Sequence, residues 1–212
     1  QVVRYGLRKG KAEAILEVCR RQRRWVGTIA PRSPLPPSGS NGSGGGATRG
    51  GTWTCPVLLS ADGRAVTAVD AGTGEKACLV RTTGAVCSLA VGGGGDLLVT
   101  GHVDGSMSQW HALPERLGAA FGVSGFEEKG GEPATDMHWH AHPVRCMGVA
   151  ADGVQLFSGG EEAVLVQWNL NKGTKAYLPR IGAALTGLAV SPGQEYLLVT
   201  SADNAATLVG LA

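Results

Sequence analysis

Residues Val144–Trp168 read VRCMGVAADGVQLFSGGEEAVLVQW. Three short apolar runs are separated by Ala-Asp-Gly and by Gly-Gly-Glu-Glu, which is the rhythm of strands joined by tight turns. The same 25-residue pattern stacks without a gap on Val86–Trp110 (VCSLAVGGGGDLLVTGHVDGSMSQW) and on Leu185–Val209 (LTGLAVSPGQEYLLVTSADNAATLV). The sixth residue of each window is Val (Val91, Val149, Val190), and the second strand centres on Leu98, Leu156 or Leu197. An acidic residue occupies the same place in the next turn (Asp104, Glu162, Asp203), and the third strand closes on Trp110, Trp168 or Val209.

The windows start 58 and 41 residues apart, the second spacing being one propeller blade and the first a blade plus a loop, 111–135. A fourth, outer strand fits between windows, for example at Lys175–Leu178. Short strands of this kind cannot bury their apolar faces alone and need neighbours stacked around an axis. The fold class expected is therefore all-β, a β-propeller. Residues 53–212 supply three blades and part of another, so a partial ring of about three to four blades, a piece of a larger ring, is expected. In the first blade, PVLLSADGRAVTAVDAGTGEKACLV (56–80), one strand is expected to be wanting, and the blade reads as degenerate.

The windows also bear on MHWHAHPVRC (137–146), which puts three histidines into five residues. On one strand His138, His140 and His142 share a face, but the outer two are about 13 Å apart. Zinc–nitrogen bonds of about 2 Å require converging ligands. No spacing singles out a third ligand among His102, His111, Cys146 or a carboxylate, so the run reads as punctuation of the repeat rather than a metal site. In the stacked register His142 falls just before a first strand, opposite Gly84 and Ala183. There it is expected to join Ser158, Glu162 and Trp168 in a hydrogen-bonded set that satisfies polar groups under the blade edge. Thr100, Asp104 and Trp110 are the counterparts in the preceding blade, without the histidine, and Asp203 in the following one.

The rest of the chain is simpler. With 34 glycines, 10 prolines and 17% charged residues, long uninterrupted helices are disfavoured, and no apolar run has membrane-spanning length. Residues 1–30 form a basic arm, in which Ala14, Ile15, Val18 and Cys19 could line a short helix; residues 31–52 have the Pro/Gly/Ser composition of a linker. Eight of the 19 Lys/Arg residues lie in residues 1–24, so polyanion contact would belong to the arm, notably CRRQRRW (19–25), unless that run is simply a solvated basic helix. The chain opens on Gln, as expected of a start that is missing or processed. The five cysteines, Cys19, Cys55, Cys78, Cys87 and Cys146, form no CxxC pair and read as reduced, buried thiols. No GxSxG, HExxH or Walker loop occurs. Gly92–Gly95 joins two strands without a following helix, so it reads as a turn rather than a phosphate cradle. Asp152, Glu161 and Glu162 sit in turns rather than forming a carboxylate pair for catalysis.

The blade pattern resembles the WD-repeat family. Over residues 96–210 the succession LLVTGHVDGSMSQW, MHWHAHPV, LFSGGEEAVLVQW, YLPRIGA and SADN is similar to the nucleolar WD-repeat subunits of the small-subunit processome, in the transcription-linked U-three protein subcomplex. The likeness covers a little over half the chain and leaves out residues 1–52. It implies a non-catalytic scaffold in nucleus and nucleolus that supports pre-rRNA transcription and processing. Its implied partners are other processome proteins, with pre-rRNA met indirectly or through the basic arm. It implies no catalytic or metal residue, no cofactor, no membrane and no small-molecule substrate. The other readings are a different WD-repeat adaptor, such as one presenting substrates to a ubiquitin ligase, and a histidine-based metal hydrolase. Loops 111–135 and 171–182 are the segments expected to meet partners.

Overall fold

The computed structural model describes residues 3–8, 11–17, 27–30, 57–70, 73–122, 133 and 135–211, and for residues before 57 only the backbone course. The strands are β1 (Val3–Arg8), β2 (Lys11–Glu17), β3 (Gly27–Ala30), β4 (Val57–Asp62), β5 (Ala65–Asp70), β6 (Lys76–Arg81), β7 (Val86–Gly92), β8 (Leu97–His102) and β9 (Ser106–Trp110). After helix α1 (Leu113–Ala120) come β10 (Thr135–His138), β11 (Val144–Val149), β12 (Gln155–Gly160), β13 (Leu165–Asn169), β14 (Thr174–Tyr177), β15 (Leu185–Val190), β16 (Tyr196–Ser201) and β17 (Ala206–Gly210).

Among the described residues these strands make four antiparallel blades, β3–β4–β5–β6, β7–β8–β9–β10, β11–β12–β13–β14 and β15–β16–β17, besides a β1–β2 hairpin. The blades form an open run, with the leading strands β3, β7, β11 and β15 packed in succession. This is a run of propeller blades of about the expected extent.

Burial follows the stacking. A strand covered on both faces reads as continuously apolar, whereas one with a free face alternates. In the second blade all of β8 is buried, and in the third all of β12 beyond its first residue. Val99 and Met107 of the second blade pack on Val144, Leu156 and Trp168 of the third. Phe157 and Leu165 of the third then pack on Leu185, Leu197 and Val199 of the fourth. In the fourth blade the next face is open: β16 alternates, leaving Leu198 43% and Leu208 64% exposed. A buried hydrogen bond of 2.6 Å from Ser88 Oγ to the Val144 carbonyl stitches the second blade to the third.

Four expectations change. The first blade is not short of a strand: β3 pairs along β4, so Val57–Asp62 is the second strand and not the first. Because 26 residues separate Ala30 from Val57, far more than an ordinary hairpin loop, the partner was hidden behind the linker. Ala14 and Ile15 lie in a strand paired with β1 rather than on a helix, while Val18, Cys19 and the linker fall outside the described residues. The 111–135 loop contains α1, whose Leu113 and Leu117, four residues apart, are buried against the first and second blades. Finally, Cys146 is buried but Cys78 is exposed, so the thiols do not share one environment. The expected outer strand at 175–178 is present one residue earlier, as β14.

Gly105 turns the chain between β8 and β9 at φ +85°, and a Cβ there would overlap the His140 carbonyl of the next blade's entry loop. Gly105→Ala is expected to destabilise by more than the about 1 kcal/mol that left-handed backbone alone costs. Gly173→Ala, at φ +65° with open space, isolates that smaller cost. Urea unfolding of both variants checks the difference, and equal losses would remove the contact from the account.

Candidate functional site

The polar residues singled out in the third blade meet beneath its edge. Trp168 Nε1 donates to Ser158 Oγ at 2.8 Å, and the same oxygen lies 2.8 Å from His140 Nε2. His140 Nδ1 lies 3.3 Å from Glu162 Oε2, and the His142 backbone N–H donates to Glu162 Oε1 at 2.8 Å. An indole N–H can only donate and an ionised carboxylate only accept. One assignment satisfies every group: Trp168 gives to Ser158, the Ser158 hydroxyl gives to His140 Nε2, and His140 gives its Nδ1 proton to Glu162.

The imidazole in this set is therefore His140, not His142, whose ring is exposed. The register pointed two residues too far along: Glu162 reaches the His142 backbone with one oxygen and the His140 ring with the other. His138 goes elsewhere, its Nε2 lying 3.3 Å from the Asp104 carbonyl. The three histidines thus diverge, and among the described residues no three His, Cys, Asp or Glu side chains are grouped to hold a metal.

The second blade builds a parallel set by another route. Trp110 Nε1 donates to Thr100 Oγ1 at 3.1 Å, which lies 3.0 Å from His102 Nε2. His102 Nδ1 is 2.8 Å from Ser106 Oγ, whose hydroxyl donates to Asp104 at 2.6 Å. This blade does have its histidine, on the end of β8 instead of the entry loop. Gly84 makes room for it, since a Cβ there would stand 3.1 Å from His102 Cβ. His102 was missed because the register looked for the ring at 84; the position matching His140 is Thr82, so nothing in the entry loop pointed to a histidine on β8. In the fourth blade Ser201 donates to Asp203 at 2.6 Å, but Ile181 and Val209 stand where the imidazole and indole would be, so the set ends there.

Burial sets the electrostatics. It lowers the His140 pKa below the ordinary imidazole range, against the opposing charge of Glu162. Burial likewise lowers that of His102, against Asp104 and Asp136. For Glu162 burial works upward but is outweighed by backbone N–H donors and His140, leaving the pKa low; Asp104 is held low chiefly by the Ser106 hydroxyl. Burial pushes the Cys146 thiol up to about 12, so it packs as a small apolar group rather than reacting as a thiolate. The arrangement orients and rigidifies loops; its hydroxyls and rings are occupied with one another.

Stacked four-stranded blades closed by a Trp–hydroxyl–imidazole–carboxylate set define a WD-repeat β-propeller. Residues 80–204 match the family of the WD repeat-containing protein 75 first β-propeller, and the chain belongs to that family. WD repeat-containing protein 75 of Xenopus laevis is 33% identical over 115 residues, 54% of this chain and 12% of the relative. The Homo sapiens protein of the same name is 29% identical over 110 residues, 51% of this chain and 12% of the relative. U3 small nucleolar RNA-associated protein 17 of Schizosaccharomyces pombe is 33% identical over 73 residues, 34% of this chain and 9% of the relative. The matched part thus spans about a tenth of the length of these relatives.

Two outcomes follow. His140→Ala leaves Ser158 and Glu162 without their shared partner and is expected to cost about 1–3 kcal/mol, whereas His142→Ala stays within about 0.5 kcal/mol because only its backbone is used. Urea midpoints compare them, and the opposite ranking would return the role to His142. For pH, both imidazoles titrate lower in the folded protein than in the unfolded chain, so acid protonates the unfolded state first. Their contribution to stability is therefore constant above about 6.5 and is lost as pH drops below it. The slope of the urea midpoint between pH 7 and 5 should shrink in His140→Gln and in His102→Gln; an unchanged slope would assign the acid lability to other groups.

Proposed function

We propose that this chain is part of a non-catalytic WD-repeat scaffold of the nucleolar small-subunit processome, supporting pre-rRNA transcription and processing. The observation that carries the reading is family membership over residues 80–204, joined to a relative whose name states association with U3 small nucleolar RNA. The geometry is compatible with such work: a mutually satisfied polar set spends its hydrogen bonds on holding blades and entry loops, and function on such folds resides in exposed loops. Its partners would be other processome proteins. In the segment 111–135, Leu113 and Leu117 of α1 are taken up by packing.

Affinity purification of the endogenously tagged protein, with and without ribonuclease, followed by mass spectrometry, checks the proposal. Recovery of proteins of U3-containing particles after ribonuclease is expected. Recovery of ubiquitin-ligase subunits instead would favour the adaptor reading, and zinc at one per chain, lost in His140→Ala, would favour the hydrolase.

A further inference from the structure

Strand β14 differs from every other strand of the second to fourth blades in being exposed along its whole length. Lys175 and Tyr177 share one of its faces, opposite Trp168 and Val166 respectively. The Lys175 ammonium sits 5.4 Å from the centre of the Trp168 ring, which anchors it at the surface. The Tyr177 ring, in a residue 50% exposed, lies 4.9 Å from that of Trp139 at a 40° tilt, so it is backed by one aromatic ring while remaining open to solvent. Gln155, Gln167, Asn169 and Thr174 of the other face, together with parts of Trp168 and Lys175, line a shallow cavity of about 240 Å³. Along the chain, between Glu162 and Glu195, the sequence holds Lys172, Lys175 and Arg180 and no Asp or Glu, although the Asp203 carboxylate approaches Gly182 beyond Arg180. All three cations are exposed.

We infer that β14 and its flanking turns bind single-stranded nucleic acid. Such strands are held by cations on the phosphates and by aromatic rings on which unstacked bases lie, while amides read base edges. This rim offers cations and a ring: Lys172, Lys175 and Arg180 for phosphates and Tyr177 backed by Trp139 for a base, while the Gln155–Gln167 amide pair, 2.7 Å apart, lies on the opposite face of the sheet. A peptide adding to the β14 edge fits less well, because strand addition draws specificity from side-chain pockets. Here one face carries a cation and the other opens on amides. The inference stands on this geometry and not on the scaffold reading, so either can fail without the other.

The test measures fluorescence anisotropy of a labelled 12-nucleotide oligouridine on the full chain, with Arg20, Arg21, Arg23 and Arg24 changed to Gln so that the basic arm does not dominate. Binding is expected to persist in that background. Tyr177→Leu should weaken it about tenfold while Tyr177→Phe retains it. The triple change Lys172→Gln, Lys175→Gln, Arg180→Gln should reduce the slope of log affinity against log salt by about 2. Urea midpoints verify that each variant is folded. Loss of all binding on neutralising the arm would overturn the inference, as would equal binding by Tyr177→Leu or an unchanged salt slope. Variants that keep oligouridine binding but shed a protein partner would assign the rim to protein instead. A DNA 12-mer of matching sequence bound as well as the RNA would still support the site while showing that it does not read the 2′-hydroxyl.

Discussion

One oxygen atom, Ser158 Oγ, joins the interior of the third blade to the loop that enters it. It receives the indole proton of Trp168 from β13 and faces the His140 imidazole from the loop before β11. Ser158 and His140 are fully buried, so water cannot replace a lost partner, and each group must find its hydrogen bond within the set. Glu162 completes it from the turn after β12, gripping both the His140 ring and the backbone of His142. The Gly105 turn of the second blade presses against the same loop, so the relative placement of two blades rests partly on this set.

The second blade reaches the same end with its pieces exchanged. Its histidine arises from β8, its hydroxyl is that of a threonine, and Ser106 bridges the ring to Asp104. The common element is a direction of donation, from indole through hydroxyl and imidazole to carboxylate. Apolar packing supplies the other constraint. Both faces of the second and third blades are covered by neighbours, which gives rigid sheets whose outermost strands and connecting turns stay accessible. In β14 that combination places Lys175 and the Tyr177 ring on a fixed edge.

Much of this was legible because propeller repeats are periodic in sequence as well as in space. The alignment of Leu98, Leu156 and Leu197 placed the second strands, and the acidic turn residues with the closing tryptophans placed the third. What escaped was nonlocal or compensated. β3 joins its blade across an intervening segment that carries no strand signal, and proximity in sequence could not reveal it. The imidazole of the third blade lies at position 140 rather than 142, and that of the second comes from His102 on β8, while Thr82 occupies the position matching His140. The helix α1 had local signals, Pro114 near its start and Gly122 after its end, but a segment between two windows reads as loop when only the repeat is followed.

The direction of donation is the central claim, and the protonation of His140 tests it most directly. Long-range nitrogen–proton NMR correlations on the ¹⁵N-histidine-labelled protein at pH 7, assigned by comparison with His140→Gln, distinguish the two tautomers and the cation. The account predicts a neutral His140 ring with its proton on Nδ1, facing Glu162, and a bare Nε2 accepting from Ser158. A proton on Nε2, or an imidazolium at that pH, would contradict it.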